Sequence, residues 1–162
     1  MLELQNEVSE VYLHPGESYL ALKPAIIRTI LGSCVGVTLW DARLGIGALS
    51  HSQLPKRPEI ASANRATDHR YVDFAIRDLA QQFDELGARR SEMQVKVFGG
   101  ADVLVVNEGS TRPTVGRMNC EMAVEVLRDE GFQVLASSLG GTVGLHIRFD
   151  TRTGEVRLRR LR

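Results

Sequence analysis

The architecture of this chain can be predicted outward from residues 31–55, LGSCVGVTLWDARLGIGALSHSQLP. This stretch contains two apolar runs, Val35–Trp40 and Gly45–His51, separated by a short polar break. Two such runs across a short break are typical of an antiparallel hairpin. The stretch also holds one of only two cysteines in the chain, Cys34, and one of four histidines, His51.

The loop length predicts which residues face each other across this hairpin. If Trp40 pairs with Gly45, the numbers of cross-strand partners sum to 85, and Cys34 lies directly opposite His51. Residues opposite each other share a face, with Cβ atoms about 4.5–5.5 Å apart. Glycines on that face predict open space above the pair. The opposite face is apolar and predicts a core surface made by Val35, Val37, Leu39, Ile46 and Ala48.

A thiol beside an imidazole suits nucleophilic catalysis. A neighbouring imidazolium lowers the pKa of a thiol, so we expect Cys34 to form a thiolate at neutral pH. Gly32 and Ser33 predict a tight turn whose backbone N–H groups, with that of Cys34, could stabilise an oxyanion. A third group should orient His51, either Thr29 on the preceding strand or a backbone carbonyl.

Other interpretations of these residues stay open at the level of sequence. Cys34 could be a small core residue and His51 a hydrogen-bonded polar group. Ser33 could be the nucleophile, although its strand parity points it away from His51. No CxxC or HxxxH spacing supports a metal site, although four residues could be assembled as ligands: Cys34, His51, Cys120 and His146. We assign no role to His14 and His69. The sequence lacks the glycine-rich motifs that bind phosphate groups, so we expect no cofactor.

The rest of the chain predicts many strands and two helices, an α/β protein of the α+β type. One helix is predicted after a cap at Thr67 or Asp68, with an apolar stripe from Val72 to Leu86. The other is predicted at about 117–130, with Cys120, Ala123, Val124 and Leu127 on one face. We expect one domain over residues 1–162, in which residues 1–18 form an N-terminal extension.

Composition excludes several classes of protein. Apolar residues make up 43% and charged residues 25% of the chain, and the formal net charge is zero. Such a chain has no overall field that attracts nucleic acid. Its apolar runs are too short for membrane insertion, and its acidic N-terminus is unlike a signal peptide. We therefore expect a cytoplasmic protein with reduced cysteines.

Arginines are concentrated at the C-terminal end. Residues 148–162, RFDTRTGEVRLRRLR, contain six arginines and two acidic residues. Alternation over 156–159 predicts a strand with an arginine face and an apolar face. This strand is either a charge-protected sheet edge or a docking surface for an acidic partner.

Several segments together resemble the chemoreceptor glutamine deamidases of the CheD family. They are LGSCVGVTLWD, GIGALSHSQLP, RYVDFAIRDL, KVFGGADVL, VGRMNCEMAVEVLRDEGF and LGGTVGLHIRFDTRTGEVRLRRL, in the family order from about Tyr19 to Leu161. The resemblance implies layered mixed sheets packed together and flanked by two main helices, akin to the cytotoxic necrotizing factors.

The same resemblance implies an activity and a set of site residues. It implies hydrolysis of glutamine side-chain amides on the cytoplasmic helices of chemoreceptors, without a cofactor; some members also hydrolyse receptor methyl esters. The family's cysteine and histidine fall on Cys34 and His51. Its threonine falls on Thr29, five residues before Cys34; some members place it six before, which is Arg28 here.

The resemblance also implies a rival function of a different class. CheD-like proteins bind the chemotaxis phosphatase CheC through the surface that binds receptors. This chain could therefore be a regulatory binding module that acts through CheC and receptors and not through catalysis.

Overall fold

Two mixed β-sheets and two helices make up the structure, a computed structural model that describes residues 7–59, 68–104 and 111–162. The strands are Ser9–Tyr12 (β1), Ser18–Ala21 (β2), Ala25–Leu31 (β3), Val35–Asp41 (β4), Ile46–Ser50 (β5), Gln94–Gly99 (β6), Val134–Leu139 (β7), Leu145–Asp150 (β8) and Val156–Arg160 (β9). The helices are Val72–Glu85 (α1) and Val115–Asp129 (α2), and short 3-10 turns lie at Asp68–Arg70 and Arg90–Glu92.

The strands form a four-stranded and a five-stranded sheet. The four-stranded sheet has the order β1-β3-β8-β9, and only β1 and β3 are parallel. The five-stranded sheet has the order β2-β5-β4-β6-β7, and only β6 and β7 are parallel. The predicted α+β arrangement of mixed sheets with two main helices is confirmed. Strand β1, which the sequence pattern did not predict, lies within the segment set apart as an N-terminal extension.

The hairpin of β4 and β5 forms, but its register differs from the prediction. Asp41 pairs with Ile46, so the numbers of cross-strand partners sum to 87 and not to 85. The turn lies one residue further along the chain because Gly45 adopts a φ of +66°, which glycine tolerates without steric cost. An Asp41 carboxylate oxygen also accepts the N–H of Leu44 at 2.9 Å and fixes the turn.

Two apolar cores separate three layers. The sheets pack against each other through a core that includes Ile27, Leu31, Leu49, Phe98, Ile147 and Phe149. The helices cover the other face of the five-stranded sheet, where the predicted hairpin core face is confirmed: Val35, Val37, Leu39, Ile46 and Ala48 are all buried there. The helices contact β4, β5 and β6, all from the five-stranded sheet.

The predicted open space on the cysteine side of the hairpin is absent. A Cβ atom at Gly36 would lie 3.0 Å from a Leu31 methyl group, and one at Gly47 would lie 3.0 Å from the Phe149 ring. The glycines therefore allow the four-stranded sheet to approach closely, and its side chains fill the space.

Helix α1 has the predicted stripe but not the predicted cap. Val72, Ile76, Leu79 and Phe83 are buried, whereas Leu86 is 42% exposed. Asp68 lies in a 3-10 turn, and the helix begins after Tyr71 without a side-chain cap. Thr67 lies outside the described residues. The sequence also predicts a surface loop at 56–66 and a short apolar run at 102–106, and residues 60–66 of the loop and 105–106 of the run lie outside them as well.

Helix α2 begins earlier than predicted and buries a different face. Thr114 caps it by accepting the N–H of Arg117. The buried face consists of Gly116, Asn119, Ala123, Val126 and Leu127, whereas Val124 is 48% exposed. A Cβ at Gly116 would lie 2.6 Å from the carbonyl oxygen of Ala101. This close backbone approach sets the rotation of the helix. In the described part of the chain, no helix has the length and apolarity needed to cross a membrane.

Candidate active site

His51 lies between the two sheets and is held by Thr29. Its side chain is 2% exposed, and Nδ1 lies 2.6 Å from the hydroxyl oxygen of Thr29, a fully buried residue of β3. That hydroxyl donates its single proton to the carbonyl oxygen of Leu13 at 2.9 Å. It must therefore accept from His51, so the imidazole carries its proton on Nδ1. Nε2 is left as an acceptor, buried and without a hydrogen-bond partner among the described residues.

The alternation of β3 separates Thr29 from its neighbour. Thr29 points between the sheets toward His51. Arg28 lies on the other face of the strand, where its side chain is 40% exposed and approaches Glu10 at 3.5 Å. The resemblance allowed the family's threonine at position 29 or at position 28. Position 29 is the one that contacts His51, and it is a threonine.

Cys34 lies diagonal to His51 on the same face of the hairpin. The backbone N–H groups of Val35 and Ser52 each donate to the other's carbonyl at 2.9 Å. This register puts His51 opposite Gly36, so the predicted direct pairing with Cys34 is wrong. Cβ atoms of diagonal partners lie up to about 7–8 Å apart, and Cys34 and His51 form no hydrogen bond, since Nε2 of His51 has no partner among the described residues. Cys34 packs against the core between the sheets.

The turn before β4 is fixed through its carbonyl groups. The carbonyl oxygens of residues 32, 33 and 34 accept, in order, from Ala101 N–H at 2.9 Å, Asn119 Nδ2 at 2.9 Å and Gly100 N–H at 2.8 Å. Within the described ranges, the N–H groups of Ser33 and Cys34 form no backbone hydrogen bond of this kind. Among the described residues, the turn therefore leaves these two backbone donors without a partner beside the thiol.

Residues 53–160 match the family model described as CheD chemotactic sensory transduction. A protein of Maridesulfovibrio salexigens, named probable chemoreceptor glutamine deamidase CheD, is 36% identical over 99% of this chain and 97% of its own length. The chain belongs to the CheD family. Similar proteins bearing that name include CheD 2 of Geobacter sulfurreducens, 41% identical over 96% of this chain and 92% of its own length. Another, from Rhodospirillum rubrum, is 39% identical over 95% of this chain and 84% of its own length.

Asn119 is a further residue of the candidate site in this CheD-family chain, and the sequence interpretation missed it. It is completely buried in α2, and Nδ2 donates to the carbonyls of Ser33 at 2.9 Å and Gln53 at 3.0 Å. One side chain thus ties the cysteine turn to the segment that follows His51. A signal was available, because Asn119 is a polar residue on the stripe that continues through Ala123 and Leu127.

Burial keeps Cys34 and His51 neutral in this candidate site of a CheD-family chain. It raises the pKa of the Cys34 thiol above its ordinary value. Burial also lowers the pKa of His51 to about 4; Glu17 opposes this effect and His14 adds to it. The expectation that Cys34 forms a thiolate at neutral pH is therefore wrong for the free protein, because no imidazolium is present to stabilise it.

His69, which the sequence analysis left without a role, supports the segments around His51. Its ring nitrogens lie 2.7 Å from Ser18 Oγ and 2.7 Å from an Asp78 carboxylate oxygen, and its carbonyl accepts from Ser52 Oγ at 2.8 Å. Ser18, His69 and Asp78 line a cavity of about 660 Å³. The neighbouring Glu17 carbonyl accepts the backbone N–H of His51 at 2.9 Å.

The remaining candidate residues are not assembled with Cys34 and His51. Ser33 lines a separate cavity of about 240 Å³ with Val103 and Val115. The thiol of Cys120 donates to the carbonyls of Gly99 and Gly100. His146 lies opposite Arg159 at the outer face of the four-stranded sheet. In the described parts of the chain, no group of three or more His, Cys, Asp or Glu side chains could hold a metal ion.

Proposed function

We propose that this chain is a chemoreceptor glutamine deamidase that uses Cys34 as nucleophile and His51 as general base. Its relatives' names support the substrate and the reaction. The observation that carries the residue assignment is the state of His51: Thr29 binds Nδ1–H, and Nε2 is an unpaired acceptor on the face that Cys34 shares.

The reaction proceeds through a thioester. Nε2 of His51 takes the thiol proton as Cys34 sulfur attacks the glutamine amide carbon. The resulting imidazolium donates its proton to the departing nitrogen, and ammonia leaves. Water then attacks the thioester with His51 again as base, which releases glutamate and restores the thiol. Because both groups begin neutral, proton transfer accompanies attack and does not precede it.

Two further groups assist these steps. Thr29 is a positioning residue: it fixes the tautomer and the ring orientation of His51 and does not contact the substrate. The backbone N–H groups of Ser33 and Cys34 are the candidate oxyanion donors, with Gly32 allowing the tight turn that presents them. Each proposed step uses only side chains, backbone groups and water.

The substrate is proposed to be a receptor segment in the cytoplasm. Glutamine on a receptor's cytoplasmic helix would have to enter beside a thiol that is half-buried. Recognition therefore rests on the surrounding protein surface, since a carboxamide alone offers few contacts. Binding to a CheC-type phosphatase through the same surface is part of the proposal.

The raised pKa of Cys34 favours a second candidate, the regulatory binding module. A thiol that stays protonated is a weak nucleophile until a substrate organises the site. Under this alternative, binding to receptors or to a CheC-type phosphatase is the function, and Cys34→Ala retains all of it.

Ammonia release from a purified receptor cytoplasmic fragment tests the assignment. We expect Cys34→Ala to reduce the rate to the level without enzyme and Cys120→Ala to retain most of it. Both thiols are partly buried and both have pKa values raised by burial, so Cys120 is a matched control. Equal rates for wild type and Cys34→Ala would refute the catalytic assignment. Retained binding of the fragment to Cys34→Ala distinguishes lost chemistry from lost folding.

A further inference from the structure

The outer face of the four-stranded sheet is open to solvent. The helices pack on the other sheet, and two apolar side chains on this outer face are exposed, Tyr12 at 49% and Ile30 at 43%. In β3, Arg28 and Ile30 point to this face because they alternate with Thr29, which points inward.

Strand register collects arginines in two rows on this face. Arg28 lies opposite Arg148, which lies opposite Arg157, so three arginines cross three neighbouring strands in one row. In the adjacent row His146 lies between Ile30 and Arg159. We call Arg28, Arg148, Arg157 and Arg159 the arginine face. Like charges directly opposite each other on neighbouring strands destabilise a sheet, so folding alone does not favour this arrangement.

Acidic residues of the chain compensate only part of this charge. Glu10 lies 3.5 Å from Arg28 and Glu155 lies 2.6 Å from Arg157, in pairs that are largely exposed. Exposed pairs contribute little to stability. Arg148 and Arg159 form no ion pair with any residue in the described ranges. The pKa of His146 is lowered, first by burial and then by Arg159 and Arg28. The effect of the two arginines is the one expected in a positive potential.

We infer that the arginine face binds an acidic α-helix of a partner protein, which lies across the strands. Neighbouring strands are about 4.8 Å apart, so the row of three arginines has positions at about 0, 4.8 and 9.6 Å. A helix rises about 1.5 Å per residue, so carboxylates at positions i, i+3 and i+7 lie on one face at about 0, 4.5 and 10.5 Å. The two series match to within about 1 Å, well within the reach of arginine side chains, which bind carboxylates through paired hydrogen bonds.

The surroundings favour a protein helix over other anionic partners. Exposed Tyr12 and Ile30 beside the charges provide apolar contacts of the kind that protein interfaces use. Nucleic-acid sites rest on a strongly basic domain, whereas this chain has a formal net charge of zero. Binding at the arginine face does not require the proposed deamidase chemistry.

Two labelled peptides of equal composition test the inference. Each has roughly 20 residues, enough to be helical in water; one carries glutamates at i, i+3 and i+7 on a single face, and the other distributes them around the helix. We expect fluorescence anisotropy to show tighter binding of the first peptide. Arg148→Gln/Arg159→Gln should weaken it by about tenfold. Arg89→Gln/Arg128→Gln, which removes two exposed arginines elsewhere, should not.

Several outcomes would overturn the inference. Equal weakening by both double variants would show that only net charge matters, and equal affinity for both peptides would show that no register is recognised. Tighter binding to phosphatidylserine vesicles or to duplex DNA than to the peptide would assign the face to another class of partner. Thermal unfolding provides a separate test: Arg148→Gln removes a charge from the middle of the row, so a lower Tm than wild type would contradict the repulsion.

Discussion

Thr29→Val isolates the contribution of one hydroxyl to the site. Valine has nearly the same shape, so the change removes the acceptor for His51 Nδ1–H and the donor to the Leu13 carbonyl without leaving a cavity. A buried N–H without a partner costs about 1–3 kcal/mol. At roughly 2–4 °C per kcal/mol for a domain of this size, Tm should fall by roughly 2–12 °C.

The effect on catalysis follows from the same bond. If the bond holds His51 in its reactive tautomer and orientation through the transition state, losing about 1–3 kcal/mol lowers kcat by about 5- to 150-fold. Ammonia release at saturating receptor fragment measures this change, and urea unfolding measures stability on the same preparation. Thr29→Ser keeps the hydroxyl and removes one methyl group, so it should lose about 1 kcal/mol of stability and keep near-normal kcat.

The comparison of the two variants decides the role of Thr29. An unchanged kcat in Thr29→Val, together with the expected loss of stability, would make the hydroxyl purely structural. Equal losses of kcat in the serine and valine variants would show that the methyl group matters, and would refute the hydrogen-bond argument.

Three further predictions concern the same site. Burial lowers the pKa of His51 to about 4 in the folded protein, whereas the unfolded chain protonates it near pH 6.5. The contribution of neutral His51 to stability is therefore present above pH 6.5 and is lost as pH falls toward 4. Over that range, the urea midpoint of His51→Gln should decline less than that of wild type. Asn119→Leu removes the donor to two loop carbonyls, and it should lower Tm and kcat together; a Tm loss with unchanged kcat would contradict the positioning role. Gly99→Ala places a Cβ 2.2 Å from the carbonyl oxygen of Cys34 at a φ of +103°, and it should abolish activity. Gly131→Ala is the control: it has a φ of +78° and open space around the added Cβ, so it should cost only about 1–2 kcal/mol of stability. Equal stability losses in the two variants would show that the close contact at Gly99 is harmless.

Local patterns predicted most elements of the fold and one contact of the candidate site. Two apolar runs across a short break identified β4 and β5, and helical spacing identified the buried stripe of α1. The predicted hairpin turn lies one residue too early in the chain. The conformation of Gly45 and the hydrogen bond from Leu44 N–H to Asp41 determine the register, and both depend on local geometry. The contact between Thr29 and His51 was a correct candidate because strand parity already turned Thr29 inward.

Long-range contacts account for what the sequence did not reveal. Leu13 contributes only its backbone carbonyl, which accepts the Thr29 hydroxyl. This contact forms because β1 runs parallel to β3, a pairing that no short sequence pattern indicates. Asn119 is distant in sequence from both segments it joins. Cys34 and His51 are neutral because they are buried between two sheets. A predicted strand register shows which residues are neighbours but not how far they are removed from solvent.

The candidate site is divided between the two sheets: Thr29 lies in β3 of one, whereas Cys34 directly precedes β4 and His51 directly follows β5 of the other. The distance between the sheets therefore sets the geometry of the reactive groups. Gly36 and Gly47 allow the sheets to approach closely, because a Cβ atom at either would lie 3.0 Å from a side chain of the four-stranded sheet. Selection on the reaction rate would then act on interior packing at these glycines as well as on the side chains of the proposed chemistry.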